Sequence, residues 1–303
     1  MGELYDVIIV GAGPAGYTAG IYCSRAGHNT LLLSGILPGG QLVNTTDVEN
    51  YPGFENGIMG PDLMLNMRAQ TARMGTKIID DAVQQVDFGG PLRVRGTDEW
   101  FEGRSIIVAT GADPRKLGLK GEETLGGRGV SYCATCDGPF FRGQYIFVVG
   151  GGDTAMEEAL FLTKFGRQVH IIHRRDKLRA SQAMQSRAFA NDKIKFHWNA
   201  KLVDISGHDR VEHVTIQDVV SGQDTRMDAG AVFVAIGHNP NTSLFRDVLE
   251  LDDEGYIVMD GTRTSVEGVF AAGDVHDRRY RQAVTAAGFG CQAAIDVDKY
   301  LRE

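Results

Sequence analysis

Residues 5–16 read YDVIIVGAGPAG, and residues 145–155 read YIFVVGGGDTA. Each is a short apolar strand that runs into a G-x-G-x-x-G or G-x-G-x-x-A loop, and a helical stretch and a second apolar strand follow. In this context the first glycine permits a tight turn, the second lets a pyrophosphate approach the backbone, and the third position packs helix against strand. The sequence therefore predicts two nucleotide-binding units of the α/β class.

The two units repeat one pattern. A shift of 139 residues places the three glycines of the first loop on Gly150, Gly152 and Ala155. Helical stretches are predicted over residues 17–26 and 156–165, directly after the two loops. The alternative, an α/β domain whose glycine turns bind nothing, would have to be invoked twice.

The end of the second strand in each unit is where the ribose of a dinucleotide is read. In the first unit that position is Ser34, and no acid lies nearby to favour a plain ribose. The same offset in the second unit gives His173, followed by Arg174 and Arg175, with Arg179 a turn later. Guanidinium groups suit a 2′-phosphate, so the second unit is expected to bind NADP(H) rather than to carry a solvated basic face.

Two further apolar strands end in glycine, at residues 106–112 and 232–238, and each is soon followed by a proline. We interpret both as crossings between domains. The first domain is then discontinuous, residues 1–114 with 243–303, and the second is inserted as residues 115–242.

The C-terminal part of the first domain adds its own pattern. Residues 268–274 read as a strand that ends in Asp274, and residues 281–300 read as a helix. The start of that helix is expected to face the same ligand as Asp274.

Composition excludes several classes of function. The 303 residues carry a formal net charge of -8, so there is no general attraction to nucleic acid or to an anionic membrane. No run approaches 18 apolar residues, and the N-terminus lacks the pattern of a signal peptide. We therefore expect a cytoplasmic protein that binds neither nucleic acid nor membrane.

Four cysteines are too few for a disulfide scaffold, but Cys133 and Cys136 form a C-x-x-C pair. Such a pair can exchange with other disulfides, or it can supply half of a zinc site. Zinc is disfavoured because Cys23 and Cys291, the remaining cysteines, are distant in sequence. Asp137 is either a surface turn residue or an acid within reach of the pair.

A set of motifs carries a resemblance to a known family. They are, in order, GAGPAG, GGQL (39–42), VENYPG (48–53), ATGA, CATCDG (133–138), GGGDTAMEEA, HRRDKLRA, VAIGHNPNT and AAGDV. Together they resemble the low-molecular-weight, bacterial-type thioredoxin reductases, class II pyridine nucleotide-disulfide oxidoreductases. The resemblance implies two Rossmann-like, three-layer ββα-type domains, the NADPH domain being inserted into the FAD domain. It also implies FAD as the first cofactor, a homodimer, and thioredoxin as the substrate.

The same resemblance extends the candidate binding residues. For FAD they are Gly11, Gly13, Pro14, Ala15, Gly16, Ser34, Gly35, Gly39, Gly40, Gln41, Leu42, Asn50, Ala109, Thr110, Gly111, Gly273, Asp274, Arg281, Gln282 and Ala283. For NADPH they are Gly150, Gly152, Asp153, Thr154, Ala155, His173, Arg174, Arg175, Arg179, Ile236 and Gly237.

The resemblance assigns roles to the redox residues as well. Cys136 is expected to face the flavin, Cys133 to attack the external disulfide, and Asp137 to protonate the leaving thiolate. A hydride would pass from NADPH to FAD and then reduce the cysteine pair. Two alternatives are a related flavoprotein reductase whose partner is ferredoxin or another small disulfide protein, and a redox sensor without catalysis. The retained C-x-x-C and arginine cluster disfavour the ferredoxin enzymes.

Overall fold

The computed structural model describes residues 3–36 and 38–303, so Met1, Gly2 and Leu37 lie outside the described residues. The chain divides into two compact units. The first comprises Met1–Asp113 and Asn239–Glu303, and the second comprises Pro114–His238. Among the described residues, no helix is both long enough and apolar enough to cross a membrane.

The strands are, in chain order, β1 Leu4–Val10, β2 Thr30–Leu33, β3 Asp47–Val48, β4 Ile58–Met59, β5 Lys77–Ile79, β6 Gln85–Asp87, β7 Leu92–Arg95, β8 Trp100–Val108, β9 Ala112–Pro114, β10 Val130–Ser131, β11 Tyr145–Val149, β12 Gln168–Ile172, β13 Ile194–His197, β14 Ala200–Ser206, β15 His213–Asp218, β16 Asp224–Asp228, β17 Ala231–Val234, β18 His238–Pro240 and β19 Val269–Ala271. The helices are α1 Pro14–Arg25, α2 Gly60–Arg73, α3 Lys120–Thr124, α4 Ala134–Asp137, α5 Asp153–Leu162, α6 Gln182–Phe189 and α7 Ala283–Arg302. Short 3₁₀ turns cover Gly40–Asn44, Gly138–Phe141 and Ser243–Phe245.

The first unit is built on a sheet with the strand order β5-β2-β1-β8-β7-β6. Strands β5, β2, β1 and β8 run parallel, β7 pairs antiparallel with the start of β8, and β19 pairs parallel with its end. Along β1, Val7 and Ile9 pack with helices α1, α2 and α7, while Ile8 and Val10 pack on the opposite face. Burial of each such side chain contributes about 1.5–3 kcal/mol. Strand β1 therefore stabilises the packing on both faces of the sheet.

The second unit has a parallel sheet with the order β10-β17-β11-β12-β13 and a separate antiparallel sheet, β14-β15-β16. On β11, Ile146 and Val148 face helices α5 and α6, whereas Phe147 and Val149 face residues of β14 and β15. The layers are therefore helix, parallel sheet and antiparallel sheet, which is the predicted ββα arrangement. The predicted α/β class is confirmed.

Two helices begin before the predicted position and one begins after it. Helix α1 starts at Pro14, three residues before the predicted Tyr17, since a proline ring fixes a φ angle that suits the first helical turn. Helix α5 starts at Asp153, which is also three residues before its predicted start at Met156. Helix α7 starts at Ala283 instead of Arg281, because Arg281 has a φ of 47° and Gln282 caps the helix in an extended conformation.

Candidate functional site

The glycine loop of the first unit is packed against the end of β8. Gly11 has a φ of 110°, and a Cβ there would lie 2.3 Å from the carbonyl oxygen of Ala109. A Cβ on Gly16 would lie 2.0 Å from the carbonyl oxygen of Gly11, whereas one on Gly13 would meet no atom of the described residues within 4 Å. Gly11 and Gly16 thus allow close packing, and Gly13 leaves open space at the start of α1, where a phosphate can approach backbone N–H groups.

The segment Gly39–Leu42 lies directly beside this loop. The Gly39 N–H donates to the carbonyl of Ala12 at 3.0 Å, and a Cβ on Gly40 would lie 3.4 Å from the Cα of Gly13. Thr110, at the end of β8, exchanges hydrogen bonds with Asn241 at 2.8 and 3.1 Å. The sequence-predicted residues around the first loop are therefore brought together.

The C-terminal candidate residues also meet the first loop. A Cβ on Gly273 would lie 2.9 Å from the Cβ of Ala15, and one on Gly290 would lie 2.1 Å from the Ala15 carbonyl oxygen. Beside Gly273, Asp274 has a buried Oδ1 that finds no hydrogen-bond partner in the part of the chain described here. Burial, reinforced by the charge of Asp277 and opposed by Arg281, raises the pKa of Asp274 to about 7.

A buried carboxyl oxygen without a partner is costly, and hydroxyl groups of a ligand can satisfy it. The residues of the first unit therefore fit a bound dinucleotide such as FAD. They combine an open glycine loop, a helix start and an acceptor, Asp274 Oδ1, that pairs with no group on the described residues.

The loop before α7 is held in shape by Asp277. Its carboxylate accepts the backbone N–H groups of Arg279, Tyr280 and Arg281 at 2.8, 3.0 and 3.3 Å. The Gln282 amide oxygen accepts from the Asn50 side chain at 3.3 Å, so the predicted residues Asn50 and Gln282 are in contact. Sequence reasoning missed Asp277, although an Asp followed by turn residues is typical of such side-chain-to-backbone bonding.

A second missed residue is Asp80, which follows β5. Ser34 donates to its Oδ1 at 2.6 Å, and Arg68 on α2 donates to both carboxylate oxygens at 2.7 and 2.9 Å. The Arg68 contact lowers the pKa of Asp80, and the Ser34 bond adds to the effect. An acid thus lies beside the strand-end position of β2, although it follows the neighbouring strand β5. Gly35, the residue after Ser34, lies close to this contact, and its backbone N–H donates to the Asp81 carbonyl at 3.0 Å.

The glycine loop of the second unit repeats the main contacts of the first at its first and second glycines. A Cβ on Gly150 would lie 2.4 Å from the Ala235 carbonyl oxygen, while one on Gly152 would meet nothing within 4 Å. The Gly150 N–H donates to the carbonyl of Ile172 at 3.2 Å. Ala155 is buried where α5 packs on the sheet. This loop, too, is open at its middle glycine and fits a pyrophosphate.

The predicted basic residues lie on residues 174–180, called the basic segment below, which folds back over this loop. Arg174, Arg175 and Arg179 are exposed, and the N–H of Arg179 donates to the Gly151 carbonyl at 2.8 Å. Asp153, expected to bind nucleotide, accepts both the N–H and the hydroxyl of Ser181 at 2.8 Å. Its carboxylate therefore closes the basic segment onto the start of α5, where Thr154 follows it.

The far side of the loop is formed by the end of β17. Ile236 and Gly237 follow this strand, and Gly237 has a φ of 102°. The Gly237 carbonyl accepts the N–H of Arg115 at 2.9 Å. The open edge of the parallel sheet in this unit is thus bordered by Gly237 and the basic segment.

Cys133 and Cys136 form a disulfide, with their Cα atoms 5.3 Å apart. Cys133 caps the four-residue helix α4, and its Sγ accepts the N–H of Cys136 at 3.3 Å. The two sulfurs are bonded to each other, and a disulfide of this kind can exchange with other disulfides. Cys23 is buried and its thiol pKa is raised to about 12 by burial, which makes it inert.

Asp137 ends the same short helix. Burial raises the pKa of its carboxyl, and a hydrogen bond from Ser131 opposes that rise. Ser131 is itself buried and accepts the N–H of Cys133 at 3.0 Å. An acid with a raised pKa, tied to the backbone of the disulfide, is suited to deliver a proton to a thiolate.

Comparison with known proteins agrees with this geometry. The sequence profile of the pyridine nucleotide-disulphide oxidoreductases matches residues 5–290. The chain is 53% identical over 306 residues to the thioredoxin reductase of Streptomyces clavuligerus, covering 99% of this chain and 95% of that protein. It is 50% identical over 304 residues to the bifunctional thioredoxin reductase/thioredoxin of Mycobacterium leprae, covering 99% of this chain and 66% of that protein.

Solved structures give the same result. The thioredoxin reductase of Giardia duodenalis superposes with a TM-score of 0.96 at 40% identity, covering 100% of both chains. The thioredoxin reductase of Streptococcus pyogenes superposes with a TM-score of 0.93 at 45% identity, covering 99% of this chain and 98% of that one. The chain belongs to the thioredoxin reductase branch of the pyridine nucleotide-disulphide oxidoreductase family.

Proposed function

We propose that the protein is an NADPH-dependent thioredoxin-disulfide reductase, with FAD on the first unit and NADPH on the second. The observation that carries this proposal is the Cys133–Cys136 disulfide beside the half-buried carboxyl of Asp137. The relatives compared above are named thioredoxin reductases, which supports thioredoxin over ferredoxin as the partner. When bound, the nicotinamide and the flavin supply the two-electron transfer that reduces the disulfide.

For FAD, the first unit offers three kinds of contact. The N–H groups at the start of α1 would face the pyrophosphate, and Ser34 with Asp80 would face the ribose. Asp274 would accept hydrogen bonds from hydroxyl groups of the ligand, which would satisfy its unpaired oxygen. The start of α7, with Gln282 and Ala283, would face the same ligand.

For NADPH, the second unit offers the open loop at Gly152 and three exposed arginines. Arg174, Arg175 and Arg179 carry positive charge beside the ribose end of the loop. Guanidinium groups bind phosphate oxygens strongly, so these residues would favour NADPH over NADH.

The chemistry at the cysteine pair is thiol–disulfide exchange. In the reduced protein, the Cys133 thiolate would attack one sulfur of the substrate disulfide and form a mixed disulfide, releasing the other substrate sulfur as a thiolate. Cys136 would then attack Cys133, re-forming the protein disulfide and releasing the second substrate thiolate. Asp137 would deliver a proton to a leaving thiolate. The assignment of Cys133 as the attacking residue rests on the family resemblance.

The resemblance also supports a homodimer in the cytoplasm. Analytical ultracentrifugation tests the dimer directly, because a monomer of 32.9 kDa would be readily distinguished from a species of twice that mass.

The function is tested by anaerobic mixing of the purified yellow protein with NADPH and oxidised thioredoxin. Two thiols should appear for each NADPH consumed. A protein that takes up no FAD, or that oxidises NADPH without releasing thioredoxin thiols, would contradict the proposal. Activity with ferredoxin alone would instead support the alternative partner.

A further inference from the structure

His173 differs from the arginines that follow it. Its side chain is only 6% exposed, whereas Arg174 and Arg175 are exposed. The ring lies against the glycine loop, so that a Cβ on Gly151 would come 2.2 Å from Nδ1 and 2.3 Å from Cε1. The Trp198 ring packs against the His173 ring in a T-shaped arrangement, with centroids 6.4 Å apart and an interplanar angle of 83°. A side chain enclosed in this way is poorly placed to reach a phosphate.

Among the described residues, the His173 ring makes a hydrogen bond that reaches into the basic segment. Nε2 lies 2.9 Å from the carbonyl oxygen of Lys177. Since a carbonyl can only accept, Nε2 carries the proton and donates it to this bond. Burial lowers the pKa of His173, the bond to Lys177 opposes that shift, and the charges of Arg179, Arg175 and Arg174 add to it.

Backbone hydrogen bonds hold both ends of the same segment. The N–H groups of Arg179 and Ala180 donate to the Gly151 carbonyl at 2.8 and 3.1 Å. The Arg175 carbonyl accepts the N–H of Asn199 at 3.2 Å. The His173–Lys177 bond therefore closes the middle of a segment whose ends are already fixed.

The first repeat provides an internal comparison. A shift of 139 residues places Ala12 on Gly151 and Ser34 on His173. In the first repeat the loop residue has a Cβ and the strand-end residue is small. In the second the loop residue has none and the strand-end residue is a large ring. The absence of a Cβ at position 151 is therefore matched to the presence of the ring at position 173.

We propose that His173 is a positioning residue for the basic segment, which it holds in place by filling the space above Gly151 and bonding to Lys177, and that it thereby sets the preference for a 2′-phosphate. It is not itself a phosphate ligand. This proposal rests on the proposed binding of NADPH to the second unit.

Three substitutions separate the bond from the bulk of the ring. His173→Gln keeps a donor near the position of Nε2, His173→Leu keeps bulk without a donor, and His173→Ala removes both. Calorimetry on the FAD-loaded protein should show NADP⁺ binding weakened roughly 10-fold in the Leu and Ala variants, the scale expected when a displaced arginine loses one hydrogen bond to the charged 2′-phosphate. NAD⁺ binding should change by less than about 2-fold, and the Gln variant should retain most of the preference.

Two glycine substitutions provide the matched pair. Gly151→Ala should displace the ring and weaken NADP⁺ selectively, as the His173 variants do. Gly152→Ala, at the open position, should weaken NADP⁺ and NAD⁺ together because the pyrophosphate needs that space. In the double variant Gly151→Ala with His173→Ala, the methyl group enters vacated space, so NADP⁺ should bind no more weakly than to His173→Ala alone.

The outcomes distinguish the two levels of the proposal. If the unmodified protein binds NADP⁺ and NAD⁺ equally, the 2′-phosphate assignment fails and this inference fails with it. If the unmodified protein prefers NADP⁺ but the Leu and Ala variants lose both coenzymes equally, or lose neither, only the positioning role of His173 is overturned. Additive losses in the double variant would also overturn the proposed contact with Gly151.

Discussion

The Ser34 hydroxyl donates to the Asp80 carboxylate across 2.6 Å, and these two residues directly follow neighbouring parallel strands, β2 and β5. Arg68 holds the carboxylate from the other side through two hydrogen bonds. The strand that should carry a ribose-reading acid carries a serine instead, and the acid stands one strand away. The proposed ribose-facing residue of the first unit is therefore held by a residue 46 positions away in the chain.

Asp80→Asn should loosen FAD. A neutral amide removes the ion pair with Arg68 and is a weaker acceptor for the Ser34 hydroxyl. The serine that is proposed to face the ribose is then held less firmly. Loss of a hydrogen bond of this kind should raise the dissociation constant for FAD about 3- to 10-fold. Recovery of FAD fluorescence on dilution measures the release directly.

The neighbouring carboxylate is the control for this change. Asp81 accepts from the N–H and hydroxyl of Thr97 at 2.8 and 2.6 Å, in an exposed turn. Asp81→Asn should leave FAD release unchanged. Equal effects of the two substitutions would mean that Asp80 acts only on general stability.

Replacing Arg174 and Arg175 with glutamine should raise the KM for NADPH by about 10- to 100-fold, because each exposed guanidinium is expected to bind the 2′-phosphate. The KM for NADH should stay nearly constant, since an unmodified ribose offers no such charge. Steady-state kinetics with both coenzymes measures the ratio. Equal losses for the two coenzymes would show that the arginines serve the fold instead.

The sequence predicts the repeated architecture well because each loop, helix start and strand is encoded within about 30 neighbouring residues. It fails where a contact joins distant strands. Asp80 has no local signal, since only the pairing of β2 with β5 brings it to Ser34. The contact between Gly151 and His173 could not be predicted either. Motif spacing identifies a glycine at position 151, but it does not show which side chain occupies the place that a Cβ would take. Helix α7 begins late because Arg281 takes a left-handed conformation that no local pattern predicts.

The FAD-free protein should lose stability as the pH rises. An Asp in an unfolded chain titrates near pH 3.9, whereas burial raises the pKa of Asp274 to about 7 in the folded protein. The folded state therefore binds the extra proton between these values, and the free energy of unfolding falls as pH increases through this window. The slope from this single group is at most about 1.4 kcal/mol per pH unit. Urea unfolding from pH 4 to 8 measures it.

Asp274→Asn should remove that part of the pH dependence. The variant should match the original protein near pH 4 and exceed its stability above pH 7, provided that FAD is absent. A pH profile that is the same in both proteins would show that Asp274 does not carry the buried charge.

Asp137→Asn should slow the exchange steps without slowing the entry of electrons. Burial raises the pKa of Asp137, so its proton remains available at higher pH than for an ordinary carboxyl. Removing it should reduce thioredoxin turnover by about 10²–10⁴-fold, the usual contribution of a positioned acid. Stopped-flow reduction of the bound flavin by NADPH should keep its rate. A loss in flavin reduction as large as the loss in turnover would contradict an acid role confined to the cysteine pair.

Single substitutions of the two cysteines should separate their roles. Cys133→Ser and Cys136→Ser both remove the disulfide seen between these residues, so both should lose thioredoxin reduction, which needs two thiols. Both should still bind NADP⁺ and FAD, because the two glycine loops are untouched.

If Cys133 is the attacking thiol, Cys136→Ser should trap a thioredoxin that lacks its own resolving cysteine as a stable mixed disulfide, and Cys133→Ser should trap far less. Non-reducing electrophoresis and intact-mass spectrometry measure the trapped species, with Cys291→Ser, a cysteine outside the pair, as the control that should retain full turnover. Preferential trapping by Cys133→Ser would reverse the two roles, and full turnover in either single variant would show that the C-x-x-C pair is not the redox centre.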